Sequence, residues 1–156
     1  MPNLRTNEAR THSPFCQIAA DPDRAVVIYE DFDVVAFLDR RPIRTGHTQI
    51  ITRAHVPTFE MLAPQLLNKI TALGQALARH MKAVYAVDRV AFLFSGGDVA
   101  HVHAHVIPMH AKTDITSARC VTSSEPVAWG SDHLECDRAG LMAARTELGF
   151  VPGSLP

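Results

Sequence analysis

The sequence predicts an α+β domain built on an antiparallel sheet with one main helix packed on it. Three observations predict it. Short β-branched and aromatic runs are bounded by turn residues, one long segment repeats apolar residues at three- and four-residue spacing, and one run alternates histidine with apolar residues. A length of 156 residues is that of one domain, and 47% hydrophobic with 20% charged residues is ordinary globular composition. Disordered and collagen-like chains are excluded.

Residues 1–12 read as a polar arm. Residues 13–20 predict a short helical turn, ended by Asp21-Pro22-Asp23. Residues 25–30 (AVVIYE) and 34–39 (VVAFLD) predict two strands joined by Asp31-Phe32-Asp33 as a hairpin, and after the basic loop 40–46, residues 47–52 (HTQIIT) predict a third. From Pro64 the period changes: Leu66, Ile70, Leu73, Leu77 and Met81 share one helical face, which predicts a helix to about residue 82. Pro64 suits its first turn, where a missing N–H costs nothing. Residues 90–94, a Ser95-Gly96-Gly97-Asp98 turn and residues 99–108 predict a second hairpin, with Gly-Gly supplying positive φ angles. Residues 111–130 are polar and aperiodic and read as a loop. A last helix is expected from Asp132, capped in a D-x-x-E pattern with Glu135, to Leu148, with Leu134, Leu141 and Leu148 as its stripe and Gly140 as an interruption.

Fifteen Lys and Arg against sixteen Asp and Glu leave a formal charge of −1, so no excess of fixed positive charge is available to grip a nucleic-acid backbone. No run approaches the ~20 apolar residues of a membrane span. Three well-separated cysteines without a C-x-x-C pair argue against a disulfide framework. The expected setting is cytoplasmic and reducing. What stands out is nine histidines, since histidine titrates near physiological pH and is the commonest metal ligand.

Three of them alternate in His101-Val102-His103-Ala104-His105-Val106-Ile107-Pro108. On a strand His101, His103 and His105 face one way, roughly 6 to 7 Å apart, while Val102, Ala104 and Val106 face the other and can pack on the helix. Three titratable rings in a core would repel one another and resist burial, so the pattern points to chemistry.

The H-φ-H-φ-H-φ-φ run resembles the signature of the histidine-triad (HIT) nucleotide-binding family, in a branch with a short loop before the triad. The resemblance extends from about Pro14 to Pro108 through Phe15-Cys16, the AFLD of residues 36–39, Gly46-His47-Thr48 and Arg53-Ala54-His55-Val56. It implies a HIT-like fold of about five antiparallel strands, one main helix and an additional C-terminal helix. The triad domain would span 13–110, with a C-terminal extension at 111–156. It also implies that His103 attacks the α-phosphorus of a nucleotide to form a covalent nucleotidyl-histidine. His105 then contacts the phosphate and assists proton transfer, His101 orients the nucleophile, and His47 supports the triad. Ile18, Phe37, Asp39 and Val99 match the family's nucleoside pocket, with Asp39 accepting from ribose hydroxyls. The amides of Gly96, Gly97 and Asp98 are candidates for a phosphate nest.

The implied activity is a hydrolase or nucleotidyltransferase acting on a nucleoside phosphoramidate, dinucleoside polyphosphate or related mononucleotide, with AMP or GMP as product. No cofactor, nucleic acid or membrane is implied, and a homodimer is. Two departures are visible. Asp98 stands where a phosphate-donating hydroxyl is usual, and Ser13 replaces the first cysteine of the C-x-x-C that holds zinc in some members. Ser13, Cys16, His55 and His101 thus offer three good ligands of four, and no zinc is expected. Arg40, Arg41 and Arg44 are read first as a solvated loop, and second as a grip for a further phosphate or an acidic leaving group. Two rival readings stand beside the enzyme. One is a catalytic metal on the triad with His47 or His110, weakened by the lack of a carboxylate at triad spacing. The other is a non-catalytic nucleotide sensor.

Overall fold

A computed structural model describes residues 13–97, 99–116 and 134–151. The chain starts with α1 (Pro14–Ala20), whose N-cap Ser13 accepts from the Cys16 N–H through its side chain, with Pro14 in the first turn. A 3-10 turn at Pro22–Arg24 leads to β1 (Val27–Glu30) and β2 (Val34–Leu38). The hairpin between them is closed by Asp31, whose carboxylate accepts from the N–H groups of Asp33 and Val34. Then come β3 (Thr48–Thr52), α2 (Pro64–Tyr85), β4 (Arg89–Phe94) and β5 (His103–Met109), with α3 (Arg138–Leu148) last. The five strands form one antiparallel sheet in the order β1-β2-β3-β5-β4.

Strand alternation divides the apolar residues between the two sheet faces. Ala36, Ile50, Ala104 and Val106 pack with Ile70, Leu73, Leu77 and Met81 of α2 in the main core. Val35, Phe37 and Ile51 point the other way and meet Phe15 and Ala19 of α1. The register builds the second face in rows. Phe37 pairs with Gln49 and Gln49 with His105, while Val35 pairs with Ile51 and Ile51 with His103. The apolar side of the histidine run therefore packs on the helix, as its spacing predicts.

Three expectations need correction. The β4–β5 connection is no tight Gly-Gly hairpin. Phe94 pairs with Ala104, leaving residues 95–103 between the paired ends, and of the two glycines Gly96 alone has a positive φ, at 63°. His101 and Val102 precede the strand, as does His47 on β3. Finally α3 starts at Arg138 and is capped by Asp137, whose side chain accepts from the Gly140 N–H, so Gly140 belongs to its first turn. Residues 134–137 lie outside that helix, and Asp132 lies outside the described residues. The helix uses the acidic cap three residues before Gly140, Asp137.

Gly46 marks the entry to β3. Its φ is 90°, and a Cβ there would sit 2.5 Å from the Tyr85 ring at the end of α2. Only glycine meets both demands.

Candidate active site

The site occupies the sheet face opposite α2, and backbone groups fix its histidine tautomers. The Ile43 N–H donates to His47 Nδ1 at 3.2 Å, so the His47 proton is on Nε2 and points at His105 Nδ1, 2.9 Å away. His105 then carries its proton on Nε2, 3.2 Å from Ser95 Oγ, and that hydroxyl lies 3.4 Å from His103 Nε2. His103 donates from Nδ1 to the main-chain carbonyl of His101 at 2.7 Å, which leaves a lone pair on Nε2. His101 itself donates from Nε2 to the Thr52 carbonyl at 2.8 Å. The result is a chain His47, His105, Ser95, His103 with one donor direction throughout.

Burial favours the neutral form of His47, His101 and His105. His47, His101 and His105 are at most 5% exposed. Desolvation is the largest cause lowering each of their pKa values, and neighbouring rings add to it for His105 (His47, then His103) and His101 (His55, then His103). The Asp39 carboxylate opposes the shift at His47 and His105, lying 3.5 Å from His47 Nε2 and 4.0 Å from His105 Nδ1. Asp39 in turn accepts from the Arg41 N–H at 2.8 Å and from Gln49 Nε2 at 2.6 Å.

Beside this chain lies a cavity of about 350 Å³ with Phe15, Ile18, Phe37, Asp39, Gln49 and Leu141 in its wall. Phe15 joins cavity and triad, with its ring centroid 4.9 Å from His103 and 6.0 Å from Phe37. A second cavity, about 240 Å³, opens on His103, Ser95 and Gly96 and is bordered by the stacked rings of Phe59 and Phe94. A cavity walled by Phe15, Ile18 and Phe37, with one carboxylate and four arginines, beside a row of imidazoles suits a flat, hydroxylated ligand whose reactive end reaches His103.

The structure gathers most of the residues that the sequence nominates. His47, His103 and His105 converge in one network, and Ile18, Phe37 and Asp39 line one cavity. Val99 packs on the Phe15–Phe37 cluster and is outside that cavity's wall. Gly96 and Gly97 are exposed, with open space where a Cβ would be. Asp98 lies outside the described residues. His101 meets His103 through its carbonyl, while its ring faces Cys16 and His55. Arg44 is no phosphate grip, because it forms a two-bond pair with Asp114, at 3.0 and 2.7 Å. His110 is also apart from the site; its N–H donates to Asp114. Phe15, Gln49, Ser95 and Leu141 are additions. Gln49 was signalled by alternation with His47, whereas Ser95 and Leu141 become neighbours of the site only through loop and chain folding.

Two groups of side chains among the described residues could hold a metal. In the first, Cys16 Sγ is 3.3 Å from His55 Nδ1 and 3.4 Å from His101 Nδ1, and the His101–Thr52 bond orients that ring as a ligand. Ser13 Oγ fills the fourth corner, 3.1 Å from Cys16 Sγ. A hydroxyl is a poor substitute for a thiolate at a closed zinc site, so the fit is three donors of four. The second group is Asp39, His47 and His105. No carboxylate lies on the triad's own strand, and Asp39 brings one from just past the end of β2.

The HIT domain model matches residues 22–112. The chain belongs to the HIT family. An uncharacterized HIT-like protein of Mycobacterium tuberculosis is 35% identical over 99 residues, covering 60% of this chain and 69% of that protein. An Arabidopsis thaliana adenylylsulfatase is 25% identical over 144 residues, covering 88% of this chain and 70% of the relative. A HIT-like crystal structure from Bartonella henselae shares the fold with a TM-score of 0.69 at 20% identity, covering 88% of this chain and 94% of that one. The family includes nucleotide-binding proteins and hydrolases. No helix among the described residues is long and apolar enough to cross a membrane.

Proposed function

We propose that this HIT protein cleaves a nucleoside phosphoramidate, dinucleoside polyphosphate or related mononucleotide through a covalent nucleotidyl-histidine. The carrying observation is the 2.7 Å bond from His103 Nδ1 to the His101 carbonyl, which leaves Nε2 as the ring nitrogen available to phosphorus. That nitrogen attacks the α-phosphorus, a P–N bond forms and the bond to the leaving group breaks. The leaving group takes one proton from solvent, relayed by the Ser95 hydroxyl, while the His105 and His47 rings each keep their single proton and orient that hydroxyl. Water then attacks phosphorus, the P–N bond breaks, and the proton that water loses returns to solvent. The products are a nucleoside monophosphate, AMP or GMP, and the protonated leaving group. If an acceptor replaces water, the same intermediate makes the protein a transferase.

The nucleoside docks between Phe15, Ile18 and Phe37, with Asp39 accepting from ribose hydroxyls and Val99 closing the cluster. Phosphate oxygens are held by His105 and by amides of the 96–98 loop. No cofactor is required. The setting is cytoplasmic, and the assembly is a homodimer pairing two sheets. The edge position of β4, where Phe92 is exposed, supports that pairing.

His103→Ala removes the nucleophile, so adenosine phosphoramidate turnover is abolished while AMP affinity stays within a few-fold. Full activity in that variant contradicts the assignment. A metal reading is favoured by one observation, the Asp39, His47 and His105 group. Activity lost to a chelator and restored by metal selects it, and chelator-resistant activity dismisses it.

A further inference from the structure

The cavity beside Asp39 carries more positive charge than a neutral nucleoside accounts for. Arg24, Arg40, Arg41 and Arg138 all line it, against Asp39 as the carboxylate in its wall. His103 and Ser95 do not line this cavity and open on the other one. The arginines therefore share their cavity with Asp39 and not with His103, so a 5′-phosphate at His103 lies in a different cavity from theirs.

The fourth arginine is held in place by structure. Arg138 is the first residue of α3, and the chain before it is pinned to the loop that follows Asp39. The Cys136 N–H donates to the Arg40 carbonyl at 2.8 Å, and a Cβ on Gly140 would come within 2.7 Å of Cys136 Sγ. Arg138 donates to the Asp23 carbonyl at 3.2 Å, and the ion pairs of Arg24 and Arg40 are exposed and long. Arg24 reaches Asp21 at 3.3 Å and Arg40 reaches Glu135 at 3.6 Å, with every side chain more than half exposed. Such pairs are weak and give way to phosphate, which the guanidinium fork matches.

The geometry points to a second anion subsite at the ribose end of the pocket: the preferred ligand is a nucleotide with an additional phosphoryl group on its 2′ or 3′ hydroxyl. The other hydroxyl remains for Asp39, and Arg40 and Arg138 receive the extra phosphate. This rests on the reading that the ribose docks at Asp39.

Calorimetric titration of the full chain at physiological salt with AMP, adenosine 2′,5′-bisphosphate and adenosine 3′,5′-bisphosphate tests it. One of the bisphosphates binds at least about tenfold more tightly than AMP. In the Arg40→Ala/Arg138→Ala variant the ratio of bisphosphate to AMP affinity collapses towards one, a readout that partial loss of folded protein does not mimic. AMP binding without preference for either bisphosphate overturns the subsite and leaves the proposed function standing. A preference that survives in the variant overturns the assignment to these arginines. Failure of AMP itself to bind overturns the function reading and the subsite with it.

Discussion

Ser95 shows how one hydroxyl can complete a site. It lies within 3.4 Å of both His103 and His105, and it is the only described group that joins them by side-chain hydrogen bonds. Ser95→Ala interrupts the proton route while leaving the rings in place, so kcat falls about tenfold, the worth of one hydrogen bond of this kind, with little change in KM. A steady-state comparison with wild type measures it; an unchanged kcat removes Ser95 from the route. Ser13 tests the metal corner in the same spirit. The wild-type protein purified without added metal is expected to hold little zinc. Ser13→Cys supplies the missing thiolate beside Cys16, His55 and His101, and is expected to hold about one equivalent. Elemental analysis distinguishes the two, and full zinc occupancy of the wild type contradicts the expectation.

At the scale of elements, two periodicities were readable and the connections were not. The alternations Val35/Phe37, Gln49/Ile51 and His103/His105 were present in the sequence, and pairing them in register built the catalytic face. The stripe of α2 was equally plain: Ile70, Leu73, Leu77 and Met81 are all buried under the sheet. Leu77→Ala leaves a hole between α2 and the strands, and a loss of about 2–5 kcal/mol is expected in denaturant unfolding. A loss below about 1 kcal/mol contradicts a tightly packed interface there. Connections fared differently because their geometry is set by tertiary partners. His101 was read as part of the strand, yet its ring is drawn to Cys16, His55 and the Thr52 carbonyl, all distant in sequence. Likewise the start of α3 is set by Asp137 and by docking of Cys136 on Arg40. Single-sequence capping patterns cannot rank such contacts.

For the molecule as a whole, the buried imidazoles set the response to acid. Folding lowers the pKa values of His47, His101 and His105 below the ordinary histidine value near 6.5. The unfolded chain therefore binds more protons below that pH, and stability must fall as pH drops from about 6.5 towards the folded values. Above about 6.5 the three rings contribute no further slope. Asp31 and Asp114, held at about 2, act in the same direction at lower pH: their contribution is present above about 4 and is lost on further acidification. The melting temperature is expected to be level from pH 8 to 7 and to decline steadily towards pH 5, with a shallower decline in His47→Gln/His105→Asn. A flat profile from pH 8 to 5 contradicts neutral, buried histidines.

The family was legible in the triad and the segments around it, whereas the C-terminal contribution to the pocket was not. Leu141 and Arg138 line the cavity because residue 136 is tied to residue 40, a contact across nearly a hundred residues that no local pattern signals.

All of this converges on one nitrogen. Intact-mass analysis after brief mixing with adenosine phosphoramidate, followed by peptide mapping, tests it most directly. The expected result is one adenylyl group per chain, located on His103 and absent from His103→Ala. Turnover without any adduct in rapidly quenched samples, or an adduct on another residue that persists in His103→Ala, contradicts it.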